Sequence, residues 1–289
     1  MKGTLYIVGT PIGNLEDISF RAVRILQSVD LIAAEDTRHT GKLLHHFQIK
    51  VPQVSCHEHN QKQRIPELIE KLQAGKNIAV VTDAGMPGIS DPGYEIVKAC
   101  IEAALLVVPI PGPNAAITAL SAAGLATEKF VFEGFLSTKG KQRKQRLEML
   151  QNESRTMILY ESPHRLRKTL QDLEKTLGKN RQIALGRELT KIHEEFWRGT
   201  IGAALSHYEN TVQPQGEFTL VVAGKSEEAA AISETVLKTE LENLLKQGMS
   251  RSEATKHLTQ QTSVSRRKIY QISLTIPEID GENSHEEWI

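Results

Sequence analysis

The chain has 289 residues, enough for two domains of ordinary size and a small appendage. Its 35 basic and 35 acidic residues cancel, so net charge does not indicate a nucleic-acid partner and any basic surface must be local. Two cysteines exclude a disulfide framework, and no apolar stretch approaches the ~18 residues of a membrane span. A strand-like segment stands where a signal peptide would begin, so we expect a soluble cytoplasmic protein without a membrane partner.

The first 112 residues alternate short apolar runs with segments of helical periodicity. This alternation predicts an N-terminal α/β domain. Strands are predicted at the apolar runs 5–8, 31–34, 54–55, 78–82 and 105–108. Three prolines among residues 109–113 cannot lie inside a strand or a helix, so we place the end of this domain at residue 112.

Two loops rich in glycine and proline follow strands of this domain. The sequence after the strand at 78–82 is DAGMPGISDPG (83–93), and the sequence after the first strand is GTPIGN (9–14). Ligands of open α/β sheets bind at the carboxyl ends of strands, and glycines let the backbone approach a bound molecule. We therefore expect a ligand at the 83–93 loop; the alternative is a rigid surface turn. Neither loop has the spacing of a P-loop or a dinucleotide fingerprint.

Polar side chains follow the second and third predicted strands. Glu35, Asp36 and Arg38 come after the run at 31–34, where they can orient a substrate or accept a proton. The alternative is a helix N-terminus at which acidic residues are favourable. His57 and His59 follow the third strand; a zinc site would need a matching second half, so we favour a polar wall of a cleft.

Residues 113–224 predict a second α/β domain. Its strands are predicted at 130–132, 157–160, 183–185 and 218–222, with a helix at 166–177. Between the first two strands lies a basic run, which either contacts phosphates or forms a solvated helix face. Its cations are Lys139, Lys141, Arg143, Lys144 and Arg146.

The remaining chain predicts a linker at 225–235, a small helical module at 236–276 and a mobile polar tail at 277–289. Within the module, Ser250 and Glu253 have the spacing of a capping box that opens a helix. The pattern resembles a helix-turn-helix with Arg266, Arg267 and Lys268 on its last helix. Such a module serves either nucleic-acid binding, which we favour, or protein interaction.

Five motifs taken together resemble the ribosomal RNA small subunit methyltransferase I family of the tetrapyrrole methylase superfamily. They are GTPIGNL (9–15), AEDTR (34–38), DAGMPGISDPG (83–93), PGPNA (111–115) and ESPHR (161–165). The resemblance covers about residues 1–276. It implies two α/β domains with S-adenosylmethionine bound in the cleft between them, usually in a homodimer. It also implies methylation of the ribose 2′-hydroxyl of a cytidine in the decoding region of 16S ribosomal RNA, as the free RNA or in the 30S subunit.

The resemblance also implies positions for the cofactor contacts. The superfamily's Gly-Asp-Pro loop falls on Asp83-Ala84-Gly85, a departure in the order of small residues. The implied cofactor-binding residues are Pro11, Asp83, Ala84, Gly85, Gly88, Ile89, Asn114, Ala115, Tyr160, Glu161 and Glu188.

Transfer of a methyl group to a ribose hydroxyl requires positioning and a base that removes the hydroxyl proton. The candidate bases are Glu35, Asp36, His57 and His59, all at predicted strand ends, and Arg38 can hold a neighbouring phosphate in bidentate fashion. No carboxylate cluster indicates a metal site.

Two other functions remain open at this point. The shared fold also suits methylation of a corrin or porphyrin precursor, although such a small substrate needs neither the basic run nor the helical module. A protein of another class, a non-catalytic nucleic-acid-binding regulator, would use the cofactor pocket as a sensor.

Overall fold

The computed structural model describes residues 1–209, 214–225, 234–262, 264 and 266–277. The chain divides into two compact units, Met1–Ala223 and Gly224–Ile289. Most of the predicted linker and nearly all of the predicted tail, residues 226–233 and 278–289, lie outside the described residues. No helix within the described ranges is both long and apolar enough to cross a membrane.

The first sheet contains β1 (Thr4–Val8), β2 (Leu31–Ala34), β3 (Gln53–Ser55), β4 (Ile78–Val81) and β5 (Leu106–Ile110). The strands pair in the order β3-β2-β4-β1-β5, and every pairing is parallel. The connecting helices are α1 (Phe20–Ser28), α2 (Thr37–His46), α3 (Gln61–Gln73) and α4 (Tyr94–Glu102).

Helices cover both faces of this sheet, which explains why the central strand β4 is a continuous apolar run with every residue buried. Ala79 and Val81 belong to the cluster that includes Leu26 of α1, whereas Ile78 and Val80 belong to the opposite cluster with α3 and α4. The period of two along a strand sends successive side chains to opposite faces. All the carboxyl ends of the parallel strands therefore meet at one edge, where the two glycine loops lie.

Helix α5 (Ala115–Ala122) leads from β5 to the second sheet. That sheet contains β6 (Phe130–Phe135), β7 (Thr156–Glu161), β8 (Gln182–Arg187), β9 (Glu195–Thr200) and β10 (Phe218–Val222). The order is β6-β7-β10-β8-β9; β6 and β7 are parallel and the other pairs are antiparallel. Its helices are α6 (Gly140–Leu150), α7 (Pro163–Leu177) and α8 (Ile201–Glu209).

The two sheets and their helices confirm the predicted α/β class. Strand β9 was not predicted. It lies at the edge of the sheet and is partly exposed to solvent, so its sequence EFWRGT lacks the apolar run by which a buried strand is recognised. Both sheets lie in one compact unit, so the division of this unit into two domains near residue 112 stays a prediction.

The second unit contains the helices α9 (Glu234–Lys246), α10 (Arg251–Gln261) and α11 (Arg266–Leu274), as the sequence pattern predicts. Leu241, Leu258 and Ile269, one from each helix, belong to a single apolar cluster. The predicted capping box is present: Glu253 N donates to Ser250 Oγ, and Ser250 N donates to Glu253 Oε2 at 3.0 Å. Two residues of the predicted turn, 263 and 265, lie outside the described residues.

Candidate active site

The two glycine loops are joined at the carboxyl edge of the first sheet. Thr10 N donates to Gly85 O at 2.9 Å, and Gly85 N donates to Thr10 O at 3.1 Å. Gly85 has φ 81°, a left-handed conformation that a glycine adopts without a Cβ penalty. A Cβ on Gly9 would lie 2.7 Å from Gly112 Cα, so the loop after β5 also packs against this junction. Three loops from adjacent strands thus form one continuous wall.

The loop from Gly88 to Gly93 is tightly closed. Gly88 N donates to Pro92 O at 3.0 Å, and a Cβ on Gly93 would lie 2.7 Å from Gly88 N. Ser90 has φ 62°, in the left-handed region that costs a non-glycine residue roughly 1 kcal/mol or more. Strain of this kind persists where the surrounding structure fixes the chain, and it is frequent at ligand sites.

A cavity of about 430 Å³, which we name the central cavity, lies between these loops and the second sheet. Its volume is in the usual range for small-molecule sites, roughly 300–1,000 Å³. It is lined by Ile12, Ala84, Gly85, Met86, Ile89, Ser90, Asp91, Asn114, Ala115, Phe135, Tyr160, Glu161, Ser162, Pro163, Gly186, Leu189, Glu217, Phe218 and Thr219. Apolar side chains predominate, with a few polar groups among them.

The structure brings together most of the residues predicted to bind the cofactor. Those that line the central cavity are Ala84, Gly85, Ile89, Asn114, Ala115, Tyr160 and Glu161. Pro11 and Asp83 instead line a separate cavity of about 260 Å³, and Gly88 lines the cavity described below. Glu188 faces another cavity, where its Oε1 accepts hydrogen bonds from Lys191 Nζ and Glu217 N.

Two of the lining residues hold the wall in place. Tyr160 Oη accepts a hydrogen bond from Ala116 N at 3.2 Å, which ties the start of α5 to the end of β7. Glu161 is 2% exposed; its Oε1 accepts from Ser162 N at 2.8 Å and its Oε2 from Thr169 Oγ1 at 2.5 Å. Arg165 Nε lies 3.2 Å from Glu161 Oε1. The Glu161 carboxylate is therefore committed to the protein itself.

Asp91 is a carboxylate on the cavity wall that is not among the predicted site residues. Desolvation by the surrounding protein, followed by the negative charges of Glu35, Asp83 and Glu217, raises the pKa of Asp91 to about 7. The side chain is accessible from the cleft. A cationic group bound beside it would relieve the repulsion among these acids.

A second cavity of about 590 Å³, which we name the side cavity, meets the central cavity at Ser90 and Asp91, since both residues line both cavities. It is lined by Glu35, His57, Glu58, His59, Gln61, Gly88, Ser90, Asp91, Pro92, Gly93, Tyr94 and Glu95. Three of the four candidate bases, Glu35, His57 and His59, therefore converge on one cavity. Burial raises the pKa of Glu35, whose Oε2 accepts a hydrogen bond from Asp83 N at 3.3 Å.

With this geometry established, comparisons with known proteins identify the family. Residues 4–205 match the family model of Tetrapyrrole (Corrin/Porphyrin) Methylases. A protein of Synechocystis sp. named ribosomal RNA small subunit methyltransferase I is 57% identical over 281 residues, covering 96% of this chain and 100% of that protein. The Bacillus subtilis protein of the same name is 48% identical, with 93% of each chain covered.

The chain belongs to the ribosomal RNA small subunit methyltransferase I family. It is accordingly a methyltransferase. A solved structure of uroporphyrin-III-C-methyltransferase from Thermus thermophilus superposes with a TM-score of 0.55 at 22% identity, over 77% of this chain and 94% of that one. At this identity the superposition supports the fold alone.

The fourth candidate base, Asp36, lies outside both cavities. It caps the N-terminus of α2, which is the alternative role considered above for the acidic residues that follow β2. Its Oδ1 accepts from Arg38 N at 2.8 Å at the start of α2, and Arg38 Nη2 lies 2.6 Å from Asp36 Oδ2. Hydrogen bonds from the Arg38 side chain and backbone hold the pKa of Asp36 well below its usual range. Asp36 is thus a weak base, and Arg38 already holds a carboxylate in the bidentate position considered for a phosphate.

The basic run forms α6 and its cap, but its arginines are engaged with the protein. Arg143 is 5% exposed; its guanidinium donates to Asp172 Oδ2 at 2.8 Å, Thr169 Oγ1 at 2.9 Å and Ser137 O at 2.9 Å. This burial corrects the expectation that Arg143 belongs to an exposed basic surface. Arg146 donates from two nitrogens to the carboxylate of Glu133, both at 2.5 Å.

The exposed cations are a smaller set than the sequence indicates. On α6 and its cap they are Lys139, Lys141 and Lys144, and on α11 they are Arg266, Arg267 and Lys268. Within the part of the chain that the structure describes, no group of three or more His, Cys, Asp or Glu side chains is placed to hold a metal ion.

Several residues of the central cavity were not predicted. Met86, Ser90 and Asp91 lie within the glycine loop whose pattern singled out that stretch, so the same signal could have found them. Phe135, Gly186, Leu189 and Phe218 come from the second sheet and its loops, and nothing in their local sequence distinguishes them. These four residues lie around one cavity because the strands of the second sheet pair in the order β6-β7-β10-β8.

Proposed function

We propose that this methyltransferase uses S-adenosylmethionine to methylate the ribose 2′-hydroxyl of a cytidine in the decoding region of 16S ribosomal RNA. The proposal rests on the pair of cavities that meet at Ser90 and Asp91: one suits a nucleoside-sized cofactor, and the other opens beside it toward solvent-accessible polar side chains. The names of the relatives support small-subunit ribosomal RNA as the substrate.

The central cavity matches the chemistry of this cofactor. Ile12, Leu189 and Phe218 supply apolar surface for an adenosine moiety. S-adenosylmethionine carries a sulfonium and an ammonium cation, and the carboxylate of Asp91 borders the same space; Glu217, also on the wall, is paired with Lys191 Nζ at 3.0 Å. Desolvation is the main cause of the raised pKa of Asp91, and the charges of Glu35, Asp83 and Glu217 raise it further; a neighbouring cation gains favourable interactions with these charges. When bound, the cofactor supplies an electrophilic methyl group.

The chain's own residues act mainly by positioning. The Thr10–Gly85 backbone pair and the closed Gly88–Gly93 loop fix one wall, while Tyr160 and Glu161 fix the other. A wall held by such contacts restricts the relative motion of two reactants, and restriction of this kind contributes much of the acceleration of a group transfer. The apolar lining also excludes water from the reacting atoms.

The RNA partner requires cationic surface outside the cavities. The exposed lysines of α6 and the exposed cations of α11 supply it, because contacts to phosphates are made by such side chains. The proposal includes the family's usual homodimer and a cytoplasmic location, either with free 16S ribosomal RNA or with the 30S subunit as the acceptor.

The test uses purified protein with methyl-labelled S-adenosylmethionine and acceptors from a strain lacking the gene. Small ribosomal subunits and naked ribosomal RNA are incubated separately, and the labelled position is mapped. Label on a ribose 2′-oxygen of a cytidine is the expected result, and the better acceptor identifies the physiological form. Cofactor binding without label in either RNA would overturn the proposal, and label in an added tetrapyrrole precursor would replace it.

A further inference from the structure

The side cavity has a position that a methyl acceptor requires. It meets the central cavity at Ser90 and Asp91, so a group held in one cavity lies beside a group held in the other. Its volume of about 590 Å³ exceeds that of the central cavity. The loop at the junction is closed by the hydrogen bond that Gly88 N donates to Pro92 O.

An exposed aromatic ring borders this cavity. Tyr94, the first residue of α4, is 64% exposed and lines the side cavity. The residue before it, Gly93, is packed against Gly88, so the start of α4 is held in place. Proteins that bind unpaired nucleotides stack bases on aromatic side chains placed in this way.

The charge of the side cavity indicates which part of a nucleic acid it accepts. Four carboxylates line it: Glu35, Glu58, Asp91 and Glu95. A phosphate would be repelled by this set, whereas a neutral base and a ribose would not. A nucleotide turned out of its helix presents those neutral parts while its phosphates remain outside.

Glu35 is the carboxylate among the predicted bases that line the side cavity. It is half-buried at the end of β2, and the hydrogen bond from Asp83 N orients one of its oxygens. Its charge acts on Asp91, the residue at the junction of the cavities. The other titratable groups facing the same space are His57, Glu58, His59 and Glu95.

We propose that the side cavity receives the acceptor nucleotide, with its base stacked on Tyr94 and with Glu35 accepting the proton of the reacting hydroxyl. The inference rests on the proposed function and assigns its acceptor site. Glu35 takes the hydroxyl proton as the new oxygen–carbon bond forms, and the sulfur–carbon bond that breaks leaves its electron pair on sulfur. The products are a methyl ether, a neutral thioether and a protonated carboxyl group.

The first arm of the test measures binding of cofactor-free protein to small ribosomal subunits from a strain lacking the gene. Tyr94→Ala should weaken binding about 5-fold or more, since stacking of one base on an aromatic side chain contributes an effect of about this size at least. Tyr94→Phe keeps the ring and should bind as the wild type does. Equal affinities for all three proteins would overturn the assignment of the side cavity.

The second arm measures turnover. Glu35→Gln should lower kcat about 100-fold or more with little change in KM for subunits, because general-base assistance commonly contributes 10²–10⁴-fold. Its affinity for S-adenosylmethionine, measured by calorimetry, should change far less than its kcat, because Glu35 lines the side cavity and acts on the central cavity only through its charge on Asp91. Glu70→Gln, an exposed glutamate on α3, is the matched control and should retain wild-type turnover.

The two proposals fail in different ways. If the wild type does not label ribosomal RNA, the proposed function itself is wrong. If the wild type labels the RNA and Glu35→Gln is equally fast, the proton-accepting role is overturned. If the wild type labels the RNA while the Tyr94 variants bind and react normally, the acceptor nucleotide does not occupy the side cavity.

Discussion

Thr10 and Gly85 exchange two backbone hydrogen bonds and thereby join the loops that follow β1 and β4. Thr10 Oγ1 adds a third bond, to Thr82 O at 3.0 Å. Because β1 and β4 are adjacent in the sheet, this junction lies at the edge where ligands of open α/β sheets bind. One wall of the central cavity is therefore built by backbone, and its shape depends on which positions are glycine.

Replacement of Gly93 tests this dependence. Gly93→Ala places a Cβ 2.7 Å from Gly88 N at a φ of 145°, which combines a clash with backbone strain. We expect a loss of about 2–3 kcal/mol in the free energy of unfolding and at least 10-fold weaker cofactor binding. Denaturant unfolding and calorimetry measure the two effects.

The matched control is Gly178→Ala, which has a φ of 88° but nothing within 4 Å of the added Cβ. It should lose only about 1 kcal/mol, the cost of the left-handed conformation, and bind the cofactor normally. Equal effects of the two substitutions on cofactor binding would contradict the role assigned to the loop.

Arg143 should prove essential for stability. Its guanidinium satisfies Asp172, Thr169 and Ser137 O in a buried position, so Arg143→Ala leaves these partners without a donor. We expect a loss of about 3 kcal/mol, the lower end of the range for breaking a buried ion pair, because Asp172 remains 31% exposed. Thermal or denaturant unfolding gives the value.

Lys144→Ala on the same helix is the control for this substitution, because the lysine side chain is 80% exposed. Its stability should stay within about 0.5 kcal/mol of wild type. If Arg143→Ala were as stable as this control, the buried network would not contribute as the contacts indicate.

The burial of Arg143 marks a limit of sequence-based interpretation. The run from Lys139 to Arg146 contains five cations and no acid, and charge alone cannot distinguish a solvated arginine from one whose partner comes from another helix. That partner, Asp172, lies 29 positions later in the chain, on α7. Long-range pairing of this kind is decided by packing.

By contrast, the centre of the first sheet was predictable. A parallel strand covered on both faces must be apolar throughout, so β4 is visible in the sequence, and its loop is marked by glycines that the backbone geometry requires. The half of the site that the second sheet contributes could not be predicted from the sequence, because it depends on the order of the strands in that sheet. Phe135 and Phe218 reach the cavity from strands separated by β7 in the sheet, an order that local patterns do not encode.

The exposed lysines should govern the salt dependence of RNA binding. A variant with alanine in place of Lys139, Lys141 and Lys144 should bind RNA with a weaker dependence on salt. The slope of log affinity against log salt concentration should fall in magnitude by about 2, because each phosphate contact contributes roughly 0.7–0.9 to that slope. Binding to small ribosomal subunits at several salt concentrations provides the slope. Lys175→Ala, an exposed lysine of α7, should leave it unchanged. An unaltered slope in the triple variant would assign RNA contact to another surface.

Cofactor affinity should depend on pH through Asp91. Its pKa of about 7 means that the carboxyl is mostly neutral at pH 6 and mostly ionised at pH 8. Only the ionised form attracts the cations of S-adenosylmethionine, so the affinity contributed by Asp91 should rise with pH over this interval by up to about 10-fold. Calorimetry measures the cofactor affinity of the wild type and of Asp91→Asn at each pH, and the readout is the ratio of the two affinities. Titration of the cofactor's own amino group affects both proteins equally and therefore cancels in this ratio.

The same pKa makes an independent prediction for the cofactor-free protein. A carboxyl with a raised folded-state pKa lowers the free energy of unfolding as pH rises from its unfolded-state pKa near 3.8, where the stability is fully present, through the folded-state pKa of about 7, where it is lost. Asp91→Asn should therefore melt at a higher temperature than the wild type at pH 8, and the difference should vanish near pH 4. A ratio of affinities that does not change with pH, together with equal melting temperatures at pH 8, would show that Asp91 titrates in its ordinary range and does not hold the cofactor's cations.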